Sequence, residues 1–259
     1  MNMRNLSCLV AAVAVIGSGA ANASTVTLSN IVAQWYDGSP SSNVSYFNNP
    51  SIAPQARWGV GANQSGYDFV IASQPIIYDV PPSPTANQVL GKFSHLNFPI
   101  NSGTSITGIK LRITADVSIN SVLQNNLAFN YGFDHWETPN GAAPCADGGT
   151  VGVGVNVNGC ADRVIANWLA DSQDFMIGSD VYTLNVNGFS LDSAGTNPFT
   201  SFWTAEGLRN DAYLLANVTL RSDAGGGPSG TIPEPGTLAL LGIALTGLAA
   251  SRSARRARA

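Results

Sequence analysis

The segment from Ile109 to Asn120 constrains the fold most, because apolar and polar residues alternate along it without interruption. Ile109, Leu111 and Ile113 begin an apolar series at every second position, and Lys110 and Arg112 begin the polar series between them. Successive side chains of a β-strand point to opposite faces of the sheet. The pattern therefore predicts a strand with one face in a core and the other in solvent.

The same period of two recurs along the middle of the chain, and no long stretch there has the 3.6-residue period of a helix. The sequence predicts further strands at Thr25–Gln34, Arg57–Val60, Tyr67–Ile71, Val89–Leu96, Leu127–Phe133, Val151–Val157, Arg163–Trp168, Tyr182–Asn187 and Leu214–Leu220. Turn-rich segments separate them, and the proline-rich Pro75–Pro84 stretch is predicted to cross between sheets. Many short strands without helices between them predict an all-β domain, an antiparallel β-sandwich of jelly-roll-like form, at residues 24–222.

Residues 1–23 have the three parts of a secretory signal peptide. Arg4 supplies the positive charge, Cys8–Ile16 is a short apolar segment, and Ala21-Asn22-Ala23 matches the cleavage pattern. We expect a signal-peptide helix here, export by the Sec machinery, and cleavage by signal peptidase before Ser24.

The C-terminus has a Gly/Ser/Pro linker at 223–232, followed at 233–259 by a Pro-Glu-Pro motif, a short apolar run and an arginine-rich end. The apolar run, Thr237–Ala250, is shorter than the roughly 20 residues that span a bilayer comfortably, and it predicts a short transmembrane helix with the arginines on the cytoplasmic side. The residues that carry the pattern are Pro233, Glu234, Pro235, Arg252, Arg255, Arg256 and Arg258.

This tail resembles the PEP-CTERM sorting signal of Gram-negative bacteria. The resemblance implies recognition by an exosortase, a membrane cysteine transpeptidase that removes the tail. It also implies a precursor held transiently at the inner membrane and a product at the cell surface or outside the cell. Prolines on both sides of Glu234 favour an extended backbone that a protease can reach.

The middle of the chain resembles the choice-of-anchor K domain, a bacterial surface domain of unassigned activity. The segments that carry the resemblance, in order, are RWGVGANQSGYDF at 57–69, FSHLNFPINSGTSI at 93–106, DHWETPN at 134–140, CADRV at 160–164, YTLNVNGF at 182–189 and FWTAEGLRNDAYLLANV at 202–218. The family usually has Thr where this chain has Ser94. The resemblance implies secretion and a β-rich fold but no reaction, with motif residues His95, Asn97, Pro99, Asp134, Glu137, Thr138, Pro139, Asn140, Asp162 and Glu206.

Cys145 and Cys160 remain once the signal peptide is removed. An even pair in an exported chain predicts a disulfide. Two free thiols are the alternative, and a zinc site is less favoured because two thiolates supply only half of its ligands.

His95 and His135 are the two histidines of the chain. With Asp134 and Glu137 they could form a general acid/base group or a metal site. The simpler interpretation, which we favour, is that His95 and Asn97 bond loop backbone and that His135 is exposed beside Trp136. No catalytic residue and no firm metal ligand is therefore assigned.

A loop calcium site is a further hypothesis, because carboxylates and amide oxygens are the ligands that Ca²⁺ prefers. The candidate ligands are Asp134, Glu137, Asp147 and Asp162, with Asn140 nearby in sequence. Neither an EF-hand nor any repeat spacing is present, and such residues also serve turns.

Composition and motifs favour a protein without enzymatic activity. The net charge is −4, and much of the positive charge lies in the C-terminal tail, so nucleic-acid binding is not expected. Neither a nucleophile elbow nor a Walker or HExxH motif occurs. We expect a surface or matrix protein associated with exopolysaccharide or biofilm. A lectin-like carbohydrate-binding module using tryptophans is the alternative, and a hydrolase using His95 and Glu137 is less favoured.

Overall fold

Thirteen β-strands and two short 3₁₀ helices make up the regular structure in the residues that the computed structural model describes, 23–60, 62–167, 174–177 and 180–223. The strands are β1 (Ser24–Ser39), β2 (Val44–Phe47), β3 (Gln55–Trp58), β4 (Ser65–Ile71), β5 (Ile76–Val80), β6 (Gln88–Asn97), β7 (Gly108–Ile119), β8 (Val122–Trp136), β9 (Asp162–Asn167), β10 (Asp174–Ile177), β11 (Asp180–Ser190), β12 (Ser201–Thr204) and β13 (Leu208–Asp223). The 3₁₀ helices are Ser41–Asn43 and Gly154–Asn156.

The strands form two antiparallel sheets. The first sheet has the order β12-β9-β8-β7-β1-β5, and the second has the order β10-β11-β13-β6-β4-β3-β2. The chain crosses repeatedly between them, since β5 and β12 each lie in the first sheet between strands of the second. The prediction of an all-β chain with antiparallel pairing is confirmed.

Strand β7 shows how the alternating sequence places one face in the core. The side chains of Ile109, Leu111 and Ile113 are buried, whereas Lys110 and Arg112 lie on the other face. β7 pairs with β8 on one side and with β1 on the other, so its buried face is central in the first sheet. The predicted half-buried strand is confirmed.

Aromatic side chains from both sheets pack into one core. Trp35 on β1 lies 5.7 Å from Phe133 on β8 and 6.1 Å from Phe93 on β6, measured between ring centroids. Phe93 also lies 5.3 Å from Phe133 and 4.7 Å from Tyr67 on β4. These contacts join the first sheet to the second, so neither sheet buries its apolar face alone.

The predicted strand at Val151–Val157 is wrong. Gly152 and Gly154 adopt positive φ values of 88° and 59°, which turn the chain instead of extending it. The segment forms hydrogen-bonded turns and the 3₁₀ helix Gly154–Asn156, and three of its valines are exposed. Glycine at alternate positions gives the apolar period of a strand while permitting backbone that no strand adopts.

The proline-rich segment Pro75–Pro84 was predicted to cross between the sheets, and no strand was predicted within it. It does pass to the first sheet, but it contains strand β5, which pairs with the first five residues of β1. The prolines lie before and after the strand, where no ladder hydrogen bond is lost. The four-residue strands β2, β10 and β12 were also not predicted.

Several predicted segments lie outside the described residues. These are the signal-peptide helix, Trp168 at the end of the predicted Arg163–Trp168 strand, nearly all of the linker, and the whole sorting tail with its apolar run. Within the described ranges, no helix has the length and apolar character needed to cross a membrane.

The aromatic core makes a prediction about stability. Phe93→Ala should lower the free energy of unfolding by about 3–5 kcal/mol, because a fully buried aromatic ring is lost between the two sheets. Chemical denaturation followed by tryptophan fluorescence measures the change. Ile77→Ala, at a half-exposed position on β5, is the control and should cost much less. Equal losses for the two variants would contradict the described core.

Candidate functional site

Three chemically versatile side chains meet where the inner faces of the two sheets continue beyond the aromatic core. His95 lies on β6 of the second sheet, and His135 on β8 and Asp162 on β9 lie in the first. Each histidine follows a core phenylalanine by two residues, Phe93 or Phe133, so the strand period turns both rings inward. All three side chains are buried, and His95 and Asp162 are fully so.

His95 is held through one ring nitrogen. Its Nδ1 lies 2.9 Å from the Oγ1 of Thr204, and that hydroxyl donates to the carbonyl oxygen of Asp162 at 3.1 Å. The single hydroxyl proton of Thr204 is thus engaged, so Nδ1 of His95 is the donor in their bond. The lone pair of His95 Nε2 is left buried, with no hydrogen-bond partner among the described residues.

His135 is contacted at both ring nitrogens. Its Nδ1 lies 2.8 Å from the hydroxyl oxygen of Tyr67, and its Nε2 lies 3.3 Å from Oε2 of Glu137. Tyr67 is the neighbour of His95 in the β4–β6 ladder, so it bridges the two histidines from the second sheet. Ser105 donates to the same Glu137 oxygen at 3.0 Å. The prediction that His135 is exposed is wrong, because the inward face of β8 buries it.

Asp162, like His95, has one side-chain polar atom that is hydrogen-bonded and one that has no hydrogen-bond partner among the described residues. Oδ1 accepts a hydrogen bond from the backbone N–H of Thr138 at 2.7 Å, whereas Oδ2 is buried with no partner in the described ranges. Burial, and then the charge of Glu137, raise the pKa of Asp162 to about 8. Burial, and then His135, lower the pKa of His95 well below its usual value.

Aromatic rings close the cluster off. The indole of Trp58 stacks on His95 at 5.8 Å and meets His135 edge-on at 5.1 Å. Asn97 lies two residues beyond His95 and donates to the carbonyl oxygen of Thr204 at 2.9 Å. The two fused rings of the Trp58 indole and the buried amide of Asn97 therefore separate the histidines from solvent on these sides.

The disulfide loop holds Asp162 from the other side. Cys145 and Cys160 are bonded, and their Cα atoms are 5.3 Å apart. Asn156 in the loop accepts from the N–H of Ala161 at 2.7 Å, and Thr138 donates to the Ala161 carbonyl at 3.0 Å. Both backbone polar groups of Ala161 are thus hydrogen-bonded directly before Asp162.

The residues of the calcium hypothesis are placed in different surroundings. Asp134 is exposed on the outward face of β8, opposite to its neighbour His135. Asp147 accepts from the side chain of Asn156 and the N–H of Gly149, both at 2.9 Å, within the disulfide loop. In the described part of the chain, the one group whose ligand atoms lie within 4.8 Å of one another is His95, His135 and Asp162.

Glu206 and Asn140 form a second buried polar contact beside the loop. With its amide oriented to satisfy its neighbours, Asn140 donates to Oε2 of Glu206 at 3.0 Å and to the Cys160 carbonyl at 3.3 Å. Burial, and then Glu137, raise the pKa of Glu206 from 4.5 to about 7. Pro99 and Pro139 lie in the connections that follow β6 and β8.

The tryptophans divide between core and surface. Trp35 and Trp58 are fully buried. Trp136, 47% exposed, and Trp203 flank Arg163 across three neighbouring strands, since Arg163 pairs with both in the ladders. Their rings are 5.8 Å apart, and the Arg163 guanidinium lies 5.6 Å from the Trp203 ring. This row lies on the outward face of the first sheet.

Sequence analysis missed the partners that complete the buried cluster. Trp58 and Tyr67 belong to the consecutive strands β3 and β4, whereas Thr204 belongs to β12, far along the chain. Each has the apolar or β-prone character of an ordinary core residue. The inward phase of β6 and β8 was the available indication, because it places His95 and His135 on the core side of their strands.

Comparison with known protein families matches residues 231–256 to the PEP-CTERM protein-sorting motif. No curated protein matches the chain. The match covers the tail alone, and it supports the sorting interpretation of the C-terminus.

Glu206 makes a prediction about pH. A carboxyl group whose pKa is raised by folding contributes stability that is complete below its unfolded pKa of 4.5 and is lost as the pH rises through about 7. Glu206→Gln should therefore show a smaller fall in melting temperature between pH 5 and pH 8 than the wild type. The pKa of Asp147 is lowered by its bonds to Asn156 and Gly149, so Asp147→Asn should keep the wild-type slope over this range. A Glu206→Gln slope equal to that of the wild type would contradict the prediction.

Proposed function

We propose that this chain is an exported protein that an exosortase sorts and processes, and that its β-domain ends at the cell surface or in the extracellular matrix of a Gram-negative bacterium. The observation that carries the proposal is the PEP-CTERM protein-sorting motif at residues 231–256. The signal-peptide pattern at residues 1–23 supplies the export step that such sorting requires.

The order of events follows from the chemistry of the two ends. Sec-dependent export and signal peptidase leave a chain that begins at Ser24. The apolar run and the four arginines hold the precursor at the inner membrane with the charges on the cytoplasmic side. The exosortase then cleaves near Pro233-Glu234-Pro235 and frees the β-domain from the tail.

A non-enzymatic role for the β-domain is part of the proposal. Catalysis by His95 and Glu137 would need substrate to reach an imidazole that is fully buried behind Trp58 and Tyr67. The contacts between Trp35, Phe93 and Phe133 favour a β-sandwich, which we interpret as jelly-roll-like and as related to choice-of-anchor K domains. The proposed setting is the exopolysaccharide or biofilm layer.

Intact-mass analysis of native surface material tests the processing. The mature chain should begin at Ser24, end near Pro233, and be lighter than the reduced sequence by the two hydrogens of one disulfide. Glu234→Ala should retain the arginine tail and remain in the membrane fraction. Ser253→Ala leaves the Pro-Glu-Pro residues and the four arginines unchanged, so it should be processed as the wild type is. A wild-type surface product that still contains Arg258 would refute the proposal.

Carbohydrate binding is the second candidate function, and the exposed row of Trp136, Arg163 and Trp203 favours it. Flat aromatic rings present an apolar face to sugar rings, while an adjacent guanidinium donates hydrogen bonds to hydroxyl or carboxylate groups. The row lies on an outer sheet face, where an extended polysaccharide could lie across the strands. It needs no opening of the core.

A glycan array with the mature chain tests this second function. Trp136→Ala should weaken binding of any captured glycan by roughly tenfold or more, corresponding to about 1.4 kcal/mol. Phe47→Ala on β2, at the same 47% exposure, is the matched control and should bind as the wild type does. Absence of binding by the wild type, or equal binding by Trp136→Ala, would rule out this role for the row.

A further inference from the structure

We propose that His95, His135 and Asp162 form a binding site for a divalent transition-metal ion of the zinc type, and that the ion joins the two sheets. The site is independent of the sorting function, because it lies in the β-domain and uses no residue of the tail. It shares Asp162 with the calcium hypothesis but differs from it in donor chemistry, because two of its three ligands are imidazole nitrogens.

Geometry is the first support. The three side chains each offer one ligand atom, and these atoms lie within 4.8 Å of one another. Ligands of a tetrahedral zinc ion at about 2.0–2.1 Å are separated by roughly 3.4 Å. The three atoms would therefore have to move closer together on binding, and His135 would exchange its contact to Tyr67 or to Glu137 for the ion.

The outer contacts of the ligands are the second support. Metal-bound histidines donate their other ring N–H to an oxygen, which fixes the ring and directs the free nitrogen at the metal. His95 meets this condition through Nδ1 and Thr204, which leaves Nε2 bare. Asp162 meets the equivalent condition through Oδ1 and the N–H of Thr138, which leaves Oδ2 bare.

The two bare atoms are the third support. His95 Nε2 and Asp162 Oδ2 are both acceptors, both are buried, and neither has a partner among the described residues. A buried polar atom without a hydrogen-bond partner destabilises the folded state, so two in one cluster need a common explanation. A cation satisfies both atoms at once, and no hydrogen bond joins the two atoms in the structure.

The surrounding groups suit a doubly charged ion. Glu137 lies with Oε2 3.3 Å from Nε2 of His135, which places a second carboxylate beside the three ligands and offers a fourth donor. Asp162 and Glu137 together would balance two positive charges, and this lowers the cost of holding an ion away from water. Trp58 and Tyr67 contact both histidines and exclude solvent.

The donor set selects the class of metal. Imidazole nitrogens with one carboxylate suit zinc and its first-row neighbours, whereas Ca²⁺ takes six to eight oxygen ligands. Burial on all sides favours a structural role over a catalytic one, because catalytic zinc keeps a position open to water or substrate. The ion would enter as the sheets close, and its binding would stabilise the folded domain.

Metal content and spectroscopy of the wild type test the proposal directly. The full chain should be produced with zinc supplied and purified in metal-free buffer. Elemental mass spectrometry should then find about one zinc ion per chain. Chains refolded with Co²⁺ should show the visible absorption of a tetrahedral site. Zinc at a hundred times its dissociation constant should raise the melting temperature by on the order of 5–10 °C, and Ca²⁺ should not.

Near-isosteric variants locate the ion. His95→Gln and Asp162→Asn should each lose stoichiometric zinc and the zinc-dependent rise in melting temperature. Asp147→Asn removes a carboxylate of the calcium hypothesis and should keep both. If the ligand variants fail to fold, the wild-type zinc content and cobalt spectrum decide.

Three results would overturn the proposal. The first is a wild-type chain without bound zinc or a cobalt spectrum, and the second is a melting temperature raised by Ca²⁺ alone. The third is an Asp162→Asn chain that binds zinc as the wild type does. None of these results bears on the processing of the tail, so failure here is distinguishable from failure of the proposed function.

Discussion

The packing of Trp35 and Phe133 from one sheet against Phe93 and Tyr67 from the other is the interaction on which the rest of the structure depends. It brings the two inner faces together, and the two histidines are placed by continuing the same strands by two residues. Tyr67 belongs to both regions, because its ring packs in the aromatic core while its hydroxyl meets His135. The polar cluster is thus an extension of the core, and its positions are set by the same strand registers.

The sequence predicted the elements whose information is local and missed those that depend on distant partners. β7 was predictable because its alternation runs for twelve residues, long enough to exclude a helix. The valines at 151–157 alternate as well, but positive-φ glycines make that segment a turn. His95 and His135 could be placed on inward faces, yet their meeting with Asp162 depends on how three strands from two sheets are registered. No local pattern contains that pairing.

The two parts of the chain give different kinds of functional information. The tail is a linear pattern that matches a protein-sorting motif, so the sequence alone is enough to identify it. The surface proposed for the β-domain, the Trp136–Arg163–Trp203 row, exists only once the domain is folded. Destination could therefore be inferred from residue order, whereas molecular activity had to be argued from three-dimensional arrangement.

The bond between Cys145 and Cys160 has a consequence for when the domain matures. Asp162 lies two residues after Cys160, and Asn156, in the loop that the bond closes, accepts a hydrogen bond from the N–H of Ala161 directly before it. Disulfides persist in oxidising compartments and are rare in the reducing cytoplasm. In the proposed order of export, the bond therefore forms only after translocation, and the backbone just before Asp162 is held by a closed loop only outside the cytoplasm.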